Sequence, residues 1–240
     1  MSSRAFLLSC PFPSGIPADD LPQAGSWCMK WNVPLFWYAG FSSTGRVDLH
    51  HSEIGLEFPS FHATPGALAE NFASSRDVML DLLPSELRDD YAGLYDAFAA
   101  RVKSDFQDGA LFEIADFFAL AEFDPSALEA FPGEIQKLDD ARNGQHTLTL
   151  DDFLFAGAFD VGGEPAPADD CTAVELATRW RLILTGGPVD DQSWPPEPSP
   201  TEIDLAEQMI AKARPQRPRA MEPASSAPVS SNEKPWWKFW

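Results

Sequence analysis

The side chains able to do chemistry are few and loosely arranged. His50 and His51, with Glu53 and Glu57 just beyond and His62 further on, form the one stretch with ligand or acid–base character. Read as a strand, His51 and Glu53 share one face with Leu49, and His50 takes the other. That arrangement converges at most two ligands, whereas a zinc site needs three or four. Surface or hydrogen-bonded histidines are the plainer reading, and a hydrolase using His50, His51 or His62 with a nearby carboxylate is the enzymatic alternative. Cys10, Cys28 and Cys171 show no CxxC spacing, which points to free, mostly buried thiols. The glycine pairs at 162–163 and 186–187 match neither a dinucleotide fingerprint nor a phosphate loop, and no serine sits in a nucleophile elbow. Neither cofactor nor metal is expected.

Carboxylates are the abundant functional group. Paired acids recur at Asp19-Asp20, Asp89-Asp90, Asp139-Asp140, Asp151-Asp152, Asp169-Asp170 and Asp190-Asp191, within a total of 37 acids against 17 bases and a formal charge of −20. Two carboxylates divide acid and base roles only where burial pushes their pKa values apart, and adjacency in sequence does not do that. Most read as caps, turns and solvated surface. Their collective field repels phosphate backbones, which argues against nucleic acid, and favours encounter with a basic protein. Asp89, Asp90, Asp139 and Asp140 are the expected partner-facing acids.

A second candidate surface lies at the other end of the chain. From Pro188 onwards ten of 53 residues are proline, a composition that opposes a packed core. Ser199, Pro200 and Glu202 interrupt it with a capping-box pattern that predicts a short helix near 200–213. The chain then reads as disordered until Lys234-Pro-Trp-Trp-Lys-Phe-Trp240. Trp236, Trp237, Phe239 and Trp240 suit a motif that anchors in a partner, although a groove on the same chain would also hide them. The expected organisation is an acidic globular domain over 1–187 and a Pro-rich flexible tail over 188–240.

The elements that must position these groups are legible in part. Arg4 to Ser9 reads as a strand, followed after a proline-containing loop by the aromatic stretch Trp27 to Phe41, in which a helix from Pro34 to Ser42 is expected. Val47/Leu49 and Ile54/Leu56/Phe58 alternate like a strand with one covered face. Thr64 and Pro65 open a helix, and Asp77 to Leu83 is a further short apolar element. Leu87, Tyr91, Leu94, Tyr95, Phe98, Val102 and Phe106 predict an amphipathic helix over 85–106. Ala110 to Phe123 is expected to be helical on its alanine content, and a short helix should run from Pro125 or Ser126 to Phe131, closed by Pro132-Gly133. Thr147 to Phe155 fits either a strand or a turn. Asp169 or Asp170 should cap a helix whose buried side is Val174, Leu176, Ala177, Trp180, Ile183 and Leu184, ended by Gly186-Gly187-Pro188. The fold class is therefore α+β: a small mixed or antiparallel sheet packed by amphipathic helices, with a flexible C-terminal tail.

The opening Arg4-Ala-Phe-Leu-Leu-Ser, followed by Trp31-Asn-Val-Pro-Leu-Phe, resembles the N-terminal pattern of an uncharacterised family of bacterial cytoplasmic proteins. The likeness covers about forty residues and does not extend to the aromatic Leu35–Phe41 segment or the tail. It implies a bacterial cytoplasmic origin. Small acidic proteins of that kind are sometimes similar to immunity proteins that neutralise basic toxins. With no long apolar run and no secretory signal at the N-terminus, the cytoplasm is the expected compartment and membrane contact is not expected. The expected function is non-enzymatic protein binding, with an adaptor recruited through its aromatic tail as the second reading.

Overall fold

The computed structural model describes residues 4–11, 26–51, 55–120, 124–156, 171–188, 191 and 193–213. Its centre is β5 (Ala110–Glu113), four residues that are all buried. On one side β5 pairs with β1 (Arg4–Ser9), which in turn pairs with the edge strand β2 (Trp27–Lys30). On the other it pairs with β4 (Leu56–Ala63), the inner strand of a hairpin whose outer strand is β3 (Arg46–His51). Every pairing is antiparallel and the order is β2-β1-β5-β4-β3. The chain is thus α+β, as its patterning implies.

Two strand readings are corrected, for related reasons. The expected helix over 110–123 splits into β5 and a short helix α4 (Ala115–Leu120). A strand covered on both faces shows no alternation, so Ala-Leu-Phe-Glu carries no strand signature and the alanines that follow dominate the local reading. The single strand over 47–58 is a hairpin, with Leu49 and Phe58 opposite one another and both buried. Its trace in the sequence is the change of parity between Leu49 and Ile54, and Gly55 at φ 64° stands in the turn.

The aromatic stretch supplies the core that covers this sheet. Helix α1 (Leu35–Tyr38) is shorter than expected: the chain leaves it in a turn at Ala39-Gly40, and all four of its side chains are buried. Phe112 of β5 meets Trp37, Tyr38 and Phe41 at centroid distances of 5.9, 5.4 and 5.3 Å. It also meets Phe131 of α5 (Pro125–Arg142) at 5.0 Å. That helix continues through Pro132, which was expected to end it, because Phe131, Ile135 and Leu138 tie both halves to the core.

Helices α2 (Pro65–Leu80) and α3 (Arg88–Asp105) pack as an antiparallel pair, with Phe72 5.5 Å from Phe98 and Tyr95 Oη donating to Phe72 O at 2.8 Å. A 3-10 turn at Ser85–Leu87 replaces the first turn of the helix expected from Ser85. The apolar element at 77–83 is the end of α2 and the turn after it.

Helix α6 (Ala173–Thr185) is capped by Thr172, with Glu175 closing the box; Asp169 and Asp170 lie outside the described residues. Val174, expected on its buried side, is 50% exposed. The helix stops at Gly186, whose φ of 59° and contact with Trp37 exclude a side chain: a Cβ there would lie 2.7 Å from the indole. Helix α7 (Pro200–Ala213) forms where Ser199 and Glu202 predict it, with the Ser199 amide donating to Glu202 Oε2 at 2.7 Å.

The segment beyond Gly187 is partly core. Trp194 lies 5.4 Å from Trp27 and donates to Gly186 O at 3.0 Å, and Ala206 and Ile210 are buried. Glu202 is fully buried and accepts from Arg181 Nε of α6 at 2.9 and 3.0 Å. A boundary at Gly187 would cut through these contacts, so among the described residues the packed core extends to Ile210. No helix among the described residues is long and apolar enough to cross a membrane.

Removing one partner of a buried ion pair strands the other charge, at a cost of about 3–5 kcal/mol. Glu202→Ala should therefore lower the urea midpoint sharply, while Arg181→Met combined with Glu202→Leu should recover most of the loss. A single variant that unfolds at the wild-type midpoint would show that α7 is not held by this pair.

Candidate functional site

The histidines do not assemble a catalytic centre. His50 is exposed opposite Glu57, the side chain of His51 and all of Glu53 lie outside the described residues, and His62 sits on β4. His62 Nε2 lies 2.8 Å from Cys10 O; a carbonyl only accepts, so Nε2 carries the proton. Gly109, at φ 116°, lies against this contact, where a Cβ would come within 3.0 Å of His62 Nε2. His62 lines a cleft of about 320 Å³ with Ser42, Thr44, Arg46, Thr64 and Asn71, and no carboxylate is among the lining residues. Among the described residues no group of three His, Cys, Asp or Glu is placed to hold a metal.

One histidine–carboxylate contact does form, away from the sequence-selected cluster. His146 Nε2 lies 3.3 Å from Asp152 Oδ2, while Lys137 Nζ reaches Asp152 Oδ1 at 2.8 Å. Burial raises the Asp152 pKa, but hydrogen bonds from Lys137, Thr149 and His146 outweigh it and hold the carboxyl below the usual range. Asp152 also closes a capping box with Thr149, so the cluster clasps the turn at Leu150–Asp152 onto α5. The Thr149-x-x-Asp152 spacing was the available signal.

The four candidate acids divide by role. Asp139 faces inward: its Oδ2 accepts from the Ser43 amide at 2.7 Å and its Oδ1 from Arg142 Nη1 at 2.6 Å. Arg142 also reaches Ala39 O and Ser75 Oγ, so Asp139 ties α5 to the segment after α1 and to α2. Asp140 accepts from Gln136 on its own helix. Asp89 is exposed and Asp90 half-buried in the first turn of α3, where acids also favour the helix dipole.

Around these two, residues 76–96 carry six acids against two arginines. Both arginines are engaged, Arg76 with Asp96 at 2.8 Å and Arg88 with Asp81. No cation among the described residues pairs with Glu86, Asp89 or Asp90. Trp236, Trp237, Phe239 and Trp240 lie outside the described residues.

Sequence reasoning missed two buried acids. Glu113 accepts from the Ala115 amide at the start of α4, and burial pushes its pKa up to about 7. Glu134 of α5 accepts through Oε1 from the Leu154 and Phe155 amides. Burial raises it to about 7 against the lowering effect of Tyr38, the two amides and Lys137. Its Oε2 and Tyr38 Oη are close enough to influence each other, yet neither completes a hydrogen bond with full geometry. Neither acid shows periodicity or spacing that would reveal burial.

The loop held by Glu134 meets an unusual backbone. Trp31 is 58% exposed at φ 72°, a left-handed conformation that costs a bulky residue on the order of 1–3 kcal/mol. Two residues later, the Val33 amide donates to Phe155 O at 2.8 Å, and Leu154 beside it is 70% exposed.

Neither a family model, nor a curated protein, nor a solved structure matches this chain.

The raised acids set a pH dependence. A carboxyl at about 7 when folded and near 4.5 when unfolded contributes stability that is complete below pH 4.5 and is lost as pH rises through 7. For Glu134 the span amounts to roughly 3 kcal/mol at most. Wild-type unfolding free energy should fall between pH 5 and pH 8, and Glu134→Gln should flatten that slope. Parallel wild-type and variant profiles from urea titrations would refute the assignment.

Proposed function

We propose that this chain is a non-enzymatic protein-binding protein that engages a basic partner through the acidic corner between α2 and α3. An inhibitor of a basic effector, comparable to an immunity protein, is the specific form of that reading. The observation that carries it is the set Glu86, Asp89 and Asp90, none of which has a cationic partner among the described residues, while both nearby arginines are engaged by other acids. Unmatched carboxylates at a helix start attract a cationic surface and steer its approach. Asp139 supports the corner indirectly, since through Arg142 it reaches Ser75 of α2, whereas Asp140 makes no contact with that corner among the described residues.

The adaptor reading keeps its own support, the aromatic cluster Trp236, Trp237, Phe239 and Trp240, since such residues dominate binding hot spots. The two readings separate by variant. Affinity for a partner captured from the native cell should fall at least tenfold on combining Glu86→Lys, Asp89→Lys and Asp90→Lys, and should weaken steeply with added salt. Serine in place of the four aromatics should leave that affinity intact. Unchanged affinity in the charge-reversed chain, with an unaltered circular dichroism spectrum, would remove the corner from the interface.

A further inference from the structure

We propose that residues 234–240 of this chain, Lys-Pro-Trp-Trp-Lys-Phe-Trp, dock on the apolar corner formed by Trp31 and Leu154 of the same molecule. The corner is built, not incidental. Trp31 and Leu154 are two of the four exposed large hydrophobic side chains among the described residues. Each lies two residues before the Val33–Ala156 bridge, on the two segments that the bridge joins. Phe155 beneath them is half-buried, with Phe117 and Phe118 each 6.0 Å away.

Both residues are also held in place. Glu134, from the core, fixes the amides of Leu154 and Phe155. Trp31 keeps a backbone conformation that side-chain-bearing residues rarely adopt, at a position where burial of its own ring returns little. An exposed indole held at a strained position is the feature expected of a contact anchor.

Charge identifies the occupant. Residues 1–213 hold 35 acids and 12 bases, a balance of −23, whereas residues 214–240 hold 2 acids and 5 bases, a balance of +3. Lys234 and Lys238 flank the tryptophans, and Asp151 is exposed in the turn that leads to Leu154. A basic aromatic segment and an acidic body with an apolar corner are complementary in both respects. Twenty residues, 214–233, lie between the last described residue and Lys234, and a linker of that length reaches roughly 25 Å as a random coil. Such a tether gives an effective concentration on the order of millimolar, so a weak intrinsic contact is enough to keep the corner occupied. This surface shares no residue with the α2–α3 acids, so its failure would leave the partner-binding reading untouched.

The test uses the full chain with Trp236, Trp237, Phe239 and Trp240 replaced by serine, titrated calorimetrically with the synthetic heptapeptide of residues 234–240. Saturable binding is expected, at least tenfold tighter than the same peptide shows for the wild-type chain, whose own segment occupies the corner. Leu154→Ser and Trp31→Gly in the serine-substituted background should each weaken it at least tenfold. Trp31→Gly also relieves the left-handed backbone, so its melting temperature should stay level or rise, separating loss of the contact from loss of the fold. Peptide affinity indifferent to both substitutions, or equal for wild type and serine variant, would overturn the proposal. A wild-type dimer that grows with concentration in sedimentation and disappears with Trp31→Gly would also overturn it, by placing the segment on a second copy.

Discussion

The burial of Phe112 is the contact on which the rest of the structure depends. A ring of this kind removes roughly 150–250 Å² from water when enclosed, about 4–6 kcal/mol of gross burial as an upper bound. Its neighbours matter more than its size. Trp37, Tyr38 and Phe41 reach it from the segment after β2, and Phe131 reaches it from α5. One residue of the central strand therefore fixes the positions of two elements far apart in sequence. Trp37 passes the constraint on, since its Nε1 donates to Thr185 O at 2.7 Å and its ring excludes any side chain at Gly186. The end of α6 and the direction of the chain towards α7 follow from that fit.

How far this could be read from the sequence depended on whether each constraint was local. Helices α3 and α6 were legible because Leu94, Phe98 and Val102, or Leu176, Trp180 and Leu184, recur at helical spacing beside polar positions. The cap of α7 was legible because Ser199 and Glu202 interact across three residues. Strand β5 was hidden because burial on both faces erases alternation. The docking of α7 was hidden because the link between Arg181 and Glu202 spans 21 residues and each side chain alone looks like surface. The same limit applied to the candidate site: Asp89-Asp90 and Asp139-Asp140 are identical dipeptides, and only packing turns Asp139 towards Ser43 and Arg142 while leaving Asp89 in solvent.

The buried carboxyls show two answers to one electrostatic problem. Glu202 is matched by a guanidinium, which returns in direct attraction much of what desolvation costs. Glu113 and Glu134 are matched mainly by backbone amides. An amide left without an acceptor in the interior costs about 1–3 kcal/mol, so each of these acids satisfies donors that the chain has no other means of covering. The consequence is a carboxyl whose charged form is poorly accommodated, and this is why burial raises both towards neutrality.

The use of cations inside the fold also shapes the surface. Of the twelve basic side chains in residues 1–213, at least seven are paired with carboxylates among the described residues: Arg46, Arg76, Arg88, Arg101, Lys137, Arg142 and Arg181. Structural pairing therefore occupies most of the positive charge, and the excess acids set the outer field. At physiological salt that field decays over about 8 Å, so a balance of −20 spread over the whole molecule would do little to orient a separate, freely diffusing partner. Orientation requires acids clustered within a Debye length and free of compensating cations. Among the described residues Glu86, Asp89 and Asp90, within five residues at the start of α3, meet that condition, whereas Asp139 and Asp152, each bound to a neighbouring cation, do not.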